Sequence, residues 1–321
     1  MLRRSKLGLH AGPANPILPV AALLRHRRFL GRFLPKLGGA SAPPFFCRPS
    51  APLLLVPAAS GQGAPSADRL HPAGRSSGVH SMTWSIVVHD TASGAFAVAV
   101  ATRAFAVGAS CPFVRAGVGA VSTQSVTNRY LGPAVLDAMA RGLPPDAAID
   151  GALAGDAGKG LRQVHAVDRL GRTAAWTGGN CVEWCGSVAG SGISIAGNML
   201  AGEATITTTL SAWQAARGLE VPERLMAAME AGEAAGGDRR GRQSAAMLLT
   251  TTEDFPDLNL RVDDHPTPLT ELRRLVGLWR EQGQPRIGIA PSKANPSGFI
   301  DMDVIEAGWI ARGMNLRFRR P

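Results

Sequence analysis

Apolar residues recur along most of the chain with the two spacings that distinguish strands from helices. Short β-branched or alanine-rich runs predict strands over residues 85–88, 95–101, 116–123, 163–167, 173–177, 194–196, 244–250 and 258–262. Spacings of three and four residues predict helices over 133–140, 146–154, 204–216, 222–231 and 268–281. Strands and helices come in groups and do not alternate one by one. This order predicts an α+β fold with helices layered over largely antiparallel sheets.

The first two predicted strands form a hairpin that begins at a threonine. Residues 90–94 supply the turn, and Met82 directly precedes Thr83. If translation began at Met82 and the methionine were removed, Thr83 would have a free α-amine. An N-terminal threonine carries a nucleophile in its hydroxyl and a base in its own amine. The alternative is that Thr83 is a capped, chemically idle residue at the start of a strand.

The composition of the chain changes at the same point. Residues 1–81 hold eleven Lys and Arg, a single acidic residue, Asp68, and eleven of the 23 prolines, so this segment carries the whole formal net charge of +10. We expect a disordered basic extension that results from an upstream start codon, with an organellar presequence as the alternative. Residues 82–321 hold twenty-three charges of each sign. That balance, with an aromatic content of 5%, argues against a nucleic-acid or membrane-surface partner.

Residues 82–282 have the length of one domain, and residues 283–321 receive no assignment. No run approaches the roughly 18 apolar residues of a membrane span. The few cysteines predict reduced, structural thiols in a cytoplasmic protein; they are Cys47, Cys111, Cys181 and Cys185. An acidic turn at 263–265 has one histidine and no second one at ligand spacing, which favours a turn over a metal site. We expect no metal and no cofactor.

Polar residues that follow predicted strands are candidates for a catalytic site. Asn128 follows the strand that ends near Gln124, and Asn198 lies in a predicted turn before a helix. Either side-chain amide could stabilise an oxyanion. The alternative for both is a turn or helix cap, which asparagine also favours. His89 and His165 lie within strand patterns and are predicted to be structural.

The glycine-rich loop at residues 236–244 is the densest polar segment in the second half of the chain. Its glycines allow a close backbone approach to a ligand, and Arg239 and Arg242 offer forked donors to an anionic group. The loop is not a phosphate-binding P-loop, because no Gly-Lys-Ser/Thr follows and the next element is a strand. Asp238 is a further candidate for substrate binding. The alternative is a solvated loop in which Asp238 pairs with an arginine.

Several segments together resemble a known bacterial family. They are MTWSIVVHD, GAFAVAVATRAFAVGA, AGVGAVSTQ, RQVHAVD, GNML, AAGGDRRGRQSAA and LRVDDHPTPLTELRRL. These segments lie within residues 82–282 and are similar to the family called domain of unknown function 1028. That family is placed among the N-terminal-nucleophile (Ntn) hydrolases. Members usually begin at the methionine that matches Met82. The resemblance implies a four-layer αββα sandwich of two antiparallel sheets between helical layers, similar to a proteasome subunit. It also implies cleavage of an amide bond in a small or peptide-like substrate.

The chain departs from the proteasome-type pattern at two places. The Asp-Thr-Arg-Ala segment of those subunits corresponds here to Ala101-Thr102-Arg103-Ala104, and the nearest counterpart of their lysine is Arg115. An arginine cannot readily lose a proton, so Arg115 could bind a charged substrate but not act as a base. The resemblance therefore leaves two readings: an amidohydrolase that uses the α-amine of Thr83, or a non-catalytic ligand-binding or assembly module. A homo-oligomer is left open.

Overall fold

The structure, a computed structural model, describes residues 83–311 and residue 313. The chain divides into two units at Leu54, and all described residues belong to the second, Leu55–Pro321. The extension predicted over residues 1–81 lies outside the described residues. Two antiparallel sheets and seven α-helices account for more than half of the described residues. The α+β class predicted from the grouping of elements is confirmed.

The larger sheet has six strands in the order β10-β9-β2-β1-β8-β7. Its strands are β1 Thr83–Asp90, β2 Ala95–Thr102, β7 Gly186–Gly190, β8 Ile193–Asn198, β9 Ser244–Thr250 and β10 Leu258–Val262. The hairpin of β1 and β2 lies at its centre, where both faces are covered, and every residue of β2 is buried. A central strand covered on both faces explains why these runs are apolar throughout and do not alternate.

The smaller sheet has four strands in the order β3-β4-β5-β6. They are β3 Pro112–Arg115, β4 Gly119–Ser125, β5 Arg162–Asp168 and β6 Thr173–Thr177. The sequence did not predict β3 or β7. Both are short edge strands, one beginning at a proline and the other bounded by glycines, and their sequences therefore lack a clear strand pattern.

Helices cover the outer face of each sheet. They are α1 Leu131–Ala140, α2 Pro145–Leu153, α3 Ala204–Ala215, α4 Val221–Ala234, α5 Pro268–Leu278, α6 Gln284–Ile287 and α7 Met302–Ile310. Helices α3, α4 and α5 pack on the six-stranded sheet, and α1 and α2 pack on the four-stranded sheet. The π-helical turn Trp279–Gly283 joins α5 to α6 where the sequence predicted one helix to residue 281. No described helix is both long and apolar enough to cross a membrane.

The inner faces of the two sheets contact each other, and their contact has an apolar part and a polar part. Val87, Phe96 and Val98 of the larger sheet pack on Ala120 and Val167 of the smaller sheet. Farther along the strands, toward Thr83, buried polar side chains replace the apolar ones. The polar part lies at the end of the sheets where the candidate site was expected.

Candidate functional site

Thr83 is the first residue of β1, at the centre of the larger sheet. It is buried and lies opposite Asn198 in the register of β1 with β8. The Thr83 hydroxyl donates a hydrogen bond to Oγ1 of Thr102, the last residue of β2, at 3.3 Å. The Thr83 carbonyl is 3.4 Å from both Gln124 Nε2 and Asn198 Nδ2. Three strands therefore fix the position of this residue.

Three side-chain amides form a buried layer beside Thr83. Gln124 Nε2 donates to Gln163 Oε1 at 2.8 Å, and Asn198 Nδ2 donates to the same oxygen at 3.0 Å. Gln163 Nε2 donates in turn to the carbonyl of Gly197 at 2.9 Å. Asn198 is the last residue of β8 and not a turn residue, and its amide is committed to Gln163 and Thr83. These contacts fix the position of Thr83, and a role of Asn198 in oxyanion stabilisation stays a prediction.

A serine–histidine–serine chain continues the polar layer between the sheets. Ser85 Oγ is 2.7 Å from His165 Nε2, and His165 Nδ1 is 3.1 Å from Ser194 Oγ. Burial lowers the pKa of His165 to about 3, so the imidazole is neutral at physiological pH. All three residues are fully buried. The histidine therefore joins the two sheets, in agreement with its predicted structural role.

Strained backbone occurs at both strand ends next to Thr83. Ser125, which follows Gln124, has φ 70°, and Met199, which follows Asn198, has φ 55°. Such left-handed conformations cost roughly 1–3 kcal/mol in a non-glycine residue and cluster at functional sites. The Met199 conformation is held by its N–H, which donates to the carbonyl of Val182 at 2.8 Å. Strain thus coincides with the two amide side chains that hold the Thr83 carbonyl.

A cleft of about 580 Å³ opens beside this end of the larger sheet. Trp84 and Thr102 contribute its strand side, and the glycine-rich loop contributes its charged side. The full lining is Trp84, Ala101, Thr102, Ala201, Glu233, Gly236, Gly237, Asp238, Arg239, Arg240, Gly241, Arg242, Pro266 and Pro268. Thr102 both lines the cleft and accepts the hydrogen bond of the Thr83 hydroxyl. Thr102 therefore links the buried Thr83 hydroxyl to the cleft lining.

Asp238 fixes the shape of the glycine-rich loop. Its buried carboxylate accepts hydrogen bonds from the backbone N–H of Arg103 at 2.6 Å and of Arg240 at 2.9 Å, and it pairs with the Arg240 guanidinium at 3.2 Å. The side chain has no exposed surface. Asp238 was a candidate for substrate binding; the alternative, an ion pair that shapes the loop, matches these contacts. An aspartate whose oxygens are all engaged has no capacity left for a ligand.

Arg239 and Arg242 both line the cleft, as expected of residues that bind an anion. Arg242 Nε is 3.2 Å from Glu233 Oε1, and burial raises the pKa of Glu233. Arg239 is exposed, and neither a hydrogen bond nor an ion pair joins its side chain to any residue that the structure describes. The two predicted arginines therefore differ, since one has an internal partner and the other does not.

Neither Arg115 nor Asn128 is among the residues that line the cleft. Arg115 pairs with Gly119 in the strand register, at the opposite end of β4 from Gln124, and forms a 2.8 Å ion pair with Asp137 of α1. A role of Arg115 in substrate binding stays a prediction. The Asn128 amide donates to Asp156 at 2.8 Å, and its oxygen accepts from the backbone N–H of Tyr130 at 3.1 Å. Asn128 thus makes the cap-like turn that was its alternative reading.

Asp156 anchors the turn that holds Asn128. Hydrogen bonds from the Arg162 guanidinium, and then from Asn128, lower the pKa of the Asp156 carboxyl to about 2. Arg162 Nε is 2.9 Å from Asp156 Oδ2, and the Arg162 guanidinium also donates to the carbonyl of Val126. This ion pair ties the end of β4 to β5. It is a structural group, and it engages one of the two N–H donors of the Asn128 amide.

Several members of the polar layer were not predicted from the sequence. They are Ser85, Ser122, Gln124, Gln163, Ser194 and, as a partner of the Thr83 hydroxyl, Thr102. A signal was available, because polar residues recur two positions apart at 83 and 85, 122 and 124, and 163 and 165, and four positions apart at 194 and 198, in otherwise apolar strands. Period-two spacing places each pair on one face of a strand. Such pairs in four strands predict a polar layer between sheets.

A metal site or a reactive cysteine would be another source of chemistry among the described residues. No group of three or more His, Cys, Asp or Glu side chains within residues 83–311 has an arrangement that could hold a metal ion. The described cysteines, Cys111, Cys181 and Cys185, are free, and burial raises the pKa of the Cys111 thiol to about 11. A buried thiol with a raised pKa is a poor nucleophile. Among the described residues near the cleft, the hydroxyl of Thr83 is the better candidate.

Comparisons with known proteins identify relatives of this chain. A model described as "Family of unknown function (DUF1028)" matches residues 83–272. The crystal structure of protein SPO2555 from Silicibacter pomeroyi, itself described under the DUF1028 model, is 30% identical, with a TM-score of 0.63 over 68% of this chain and 100% of that chain. Anbu (ancestral beta-subunit) from Yersinia bercovieri is 10% identical, with a TM-score of 0.29 over 61% of this chain and 93% of that one.

The Anbu overlap is too weak to bear on the fold, and the search of curated proteins found no match. The family model covers more than half of the chain, and all of the SPO2555 chain is matched at 30% identity. These two findings confirm the resemblance to domain of unknown function 1028 that the sequence segments indicated. The chain belongs to the family of unknown function DUF1028.

Proposed function

We propose that this chain, when it begins at Thr83, is an N-terminal-nucleophile hydrolase that cleaves an amide bond in a small or peptide-like substrate. Its two facing sheets with helices on their outer faces would then be the four-layer αββα sandwich of that class. The observation that carries the proposal is the position of the Thr83 hydroxyl, at the start of the central strand and 3.3 Å from a side chain that lines the cleft. The family match also begins at Thr83.

In the proposed reaction the α-amine of Thr83 takes the hydroxyl proton through a water molecule, and Oγ attacks the amide carbonyl. The C–N bond then breaks, the proton passes to the leaving amine, and an ester joins the acyl group to Thr83. Water activated by the same amine hydrolyses this ester and releases a carboxylic acid. An α-amine has a pKa near 8 in water, close to working pH, so little tuning is needed.

The surrounding residues support this chemistry by position. Thr102 accepts the hydroxyl hydrogen bond, while Gln124 and Asn198 hold the carbonyl of the same residue. Thr102 holds the nucleophilic hydroxyl, and the two amides fix the backbone of the same residue; such positioning is worth a large part of a rate enhancement when the geometry is close to that of attack. These are positioning residues, since none of them reacts.

A specific observation favours the second candidate, a ligand-binding module. Ala101 lines the cleft next to Thr102, where proteasome-type subunits have an aspartate. The described carboxylates of the cleft, Glu233 and Asp238, are both paired with arginines. No described carboxylate of the cleft is therefore left to assist the nucleophile, and catalysis rests on the α-amine alone.

A β-lactone probe that acylates N-terminal threonine separates the two candidates without a known substrate. We compare a chain that begins at Thr83 with its Thr83→Ser and Thr83→Ala variants. The parent and the serine variant should be labelled at residue 83, and the alanine variant should not. Removing the hydroxyl should cost only about 1 kcal/mol of stability, because it breaks one hydrogen bond. Circular dichroism checks that each chain is folded.

A chain that keeps residue 82 is the matched control. It has the same hydroxyl, but its residue-83 nitrogen is an amide and cannot act as a base, so it should not be labelled. Absence of labelling in a folded chain that begins at Thr83 would overturn the proposed hydrolase and favour the binding module. Equal labelling of the alanine variant would show that another group reacts.

A further inference from the structure

We infer that the cleft binds a substrate with a single carboxylate, and that the Arg239 guanidinium is the group that receives it. This inference deepens the proposed function and rests on it for the placement of the scissile amide near Thr83. The binding of the carboxylate itself rests on the charges and contacts of the cleft. It can be tested separately.

The cleft has one uncommitted positive charge. Its charged lining residues are Glu233, Asp238, Arg239, Arg240 and Arg242, which leaves a net charge of +1. Arg240 is neutralised by Asp238 and Arg242 by Glu233. Arg239 lacks such a partner among the described residues. A ligand that complements this surface carries one negative charge, and a planar guanidinium suits the two oxygens of a carboxylate.

The loop that carries Arg239 is held in place from both sides. The Asp238 carboxylate accepts from the backbone N–H of Arg103, at the end of β2, and Gln243 N–H donates to the Thr102 carbonyl at 3.0 Å. On the other side, Ala201 N–H donates to the Gly237 carbonyl at 3.0 Å. A loop fixed in this way loses little conformational freedom on binding, and this favours affinity.

Turn glycines give the loop its path. Gly236 has φ 123°, Gly237 has φ 55° and Gly241 has φ 113°, and these conformations are rarely adopted by residues with a side chain. Arg239 lies between them, directly after the buried anchor Asp238. Glycines therefore lie on both sides of the segment Asp238-Arg239-Arg240, in which Arg240 pairs with Asp238 and Arg239 does not.

The rest of the cleft suits an acylated amino acid or short peptide. Trp84, Pro266 and Pro268 give it apolar surface, and about 580 Å³ lies within the usual range for small-molecule sites. Thr102 lines the cleft and accepts the hydrogen bond of the Thr83 hydroxyl. A carboxylate at Arg239 would therefore direct a nearby acyl-amide group of the same molecule toward Thr83.

A phosphate fits this cleft less well than a carboxylate does. Near neutral pH a phosphate monoester carries about 1.5 to 2 negative charges, whereas one guanidinium is uncommitted. The two other arginines would have to abandon Asp238 or Glu233 to contribute. Inorganic phosphate is therefore a useful competitor that distinguishes the two anions.

Equilibrium binding tests the inference without requiring catalysis. We titrate hippurate (N-benzoylglycine) and its methyl ester into the Thr83→Ala chain that begins at residue 83, and follow both by ligand-observed NMR. Hippurate should bind at millimolar concentration, and the ester should bind about tenfold more weakly, because it lacks the charge that pairs with Arg239. Inorganic phosphate should compete more weakly than hippurate.

Two arginine variants supply the matched comparison. Arg239→Ala should weaken hippurate binding about tenfold and leave ester binding unchanged. Arg141→Ala removes an exposed arginine at the end of α1, on the four-stranded sheet, and should change neither. Equal binding of hippurate and ester, phosphate binding tighter than hippurate, undetectable hippurate binding, or an unchanged affinity in Arg239→Ala would each overturn the inference. Because residue 83 is alanine throughout, these outcomes are independent of the nucleophile.

Discussion

The Thr83 and Thr102 hydroxyls form the contact between the central hairpin and the cleft. Thr102 accepts the Thr83 hydrogen bond at 3.3 Å and is itself almost fully buried. Thr102→Val keeps the shape of the side chain and removes the acceptor. We expect labelling of Thr83 by the β-lactone probe to slow about tenfold, which corresponds to one lost hydrogen bond. Thr102→Ser, which keeps the hydroxyl, should react within a few-fold of the parent.

The labelling rate distinguishes a positioning residue from a merely structural one. Denaturant unfolding of Thr102→Val should show a loss of about 1 kcal/mol, so the chain stays folded during the reaction. A valine variant that is labelled at the parental rate would show that Thr102 does not orient the nucleophile.

The sequence predicted the location of a single residue correctly where its neighbours along the chain are enough to fix that location. Thr83 begins a strand in any antiparallel hairpin of this pattern, and Arg239 and Arg242 share a loop that ends at a core strand. Arg115 and Asn128 could not be placed, because their partners Asp137 and Asp156 come from elements far along the chain. Long-range pairs of this kind decide where a polar side chain points, and local pattern does not record them.

The packing of α4 on α3 depends on a glycine that contradicts helix propensity. Gly232 lies within α4, and a Cβ there would overlap Thr209 Oγ1 and approach Trp84 Nε1. Gly232→Ala should therefore lower the free energy of unfolding by about 1–3 kcal/mol, although alanine is the better helix former. Gly151→Ala in α2 is the control, because no atom lies near its added Cβ. That variant should gain up to about 1 kcal/mol.

Urea unfolding of the two glycine variants measures both effects in one assay. If Gly232→Ala were as stable as Gly151→Ala, the close approach of α4 to α3 would be absent in solution.

Among the secondary-structure elements, the hairpins and amphipathic helices followed from the sequence, since their periodicity is strong. The edge strands β3 and β7 did not, because four or five residues with proline or glycine at the ends carry too little pattern.

The buried histidine makes the stability of the whole domain depend on pH. Burial lowers the pKa of His165 from 6.5 to about 3, so in acid the unfolded chain takes up a proton that the folded chain does not. The contribution of the neutral His165 to the free energy of unfolding is fully present above pH 6.5 and is lost as the pH falls toward 3. The slope of the free energy of unfolding against pH should approach about 1.4 kcal/mol per pH unit in this range.

A His165→Gln variant isolates that contribution. It should be less stable than the parent at pH 7, where the neutral histidine joins Ser85 to Ser194, and should lose less stability between pH 6.5 and about 4. His89→Gln is the comparison, because burial lowers the pKa of His89 as well but that side chain is only partly buried. It should retain most of the parental slope. Parallel pH curves for the parent and His165→Gln would contradict the account of the polar layer.

For the whole molecule, the grouping of strands and helices predicted helices layered over largely antiparallel sheets, and the described part of the chain has antiparallel sheets with helices packed on them. The sheet order and the pairing of β1 with β8 were beyond reach, since more than a hundred residues separate Thr83 from Asn198. The candidate site depends on that pairing. This is why the sequence indicated Thr83 but not the amide layer that holds it.

The central claim concerns the first residue of the functional protein. Intact-mass measurement with N-terminal sequencing of the protein purified from its native host tests it most directly. We predict a chain that begins at Thr83 with a free α-amine, since the proposed base is that amine. A stable, folded protein that retains residues 1–82 would contradict the claim, because the nitrogen of Thr83 would then be a peptide amide with no basic lone pair.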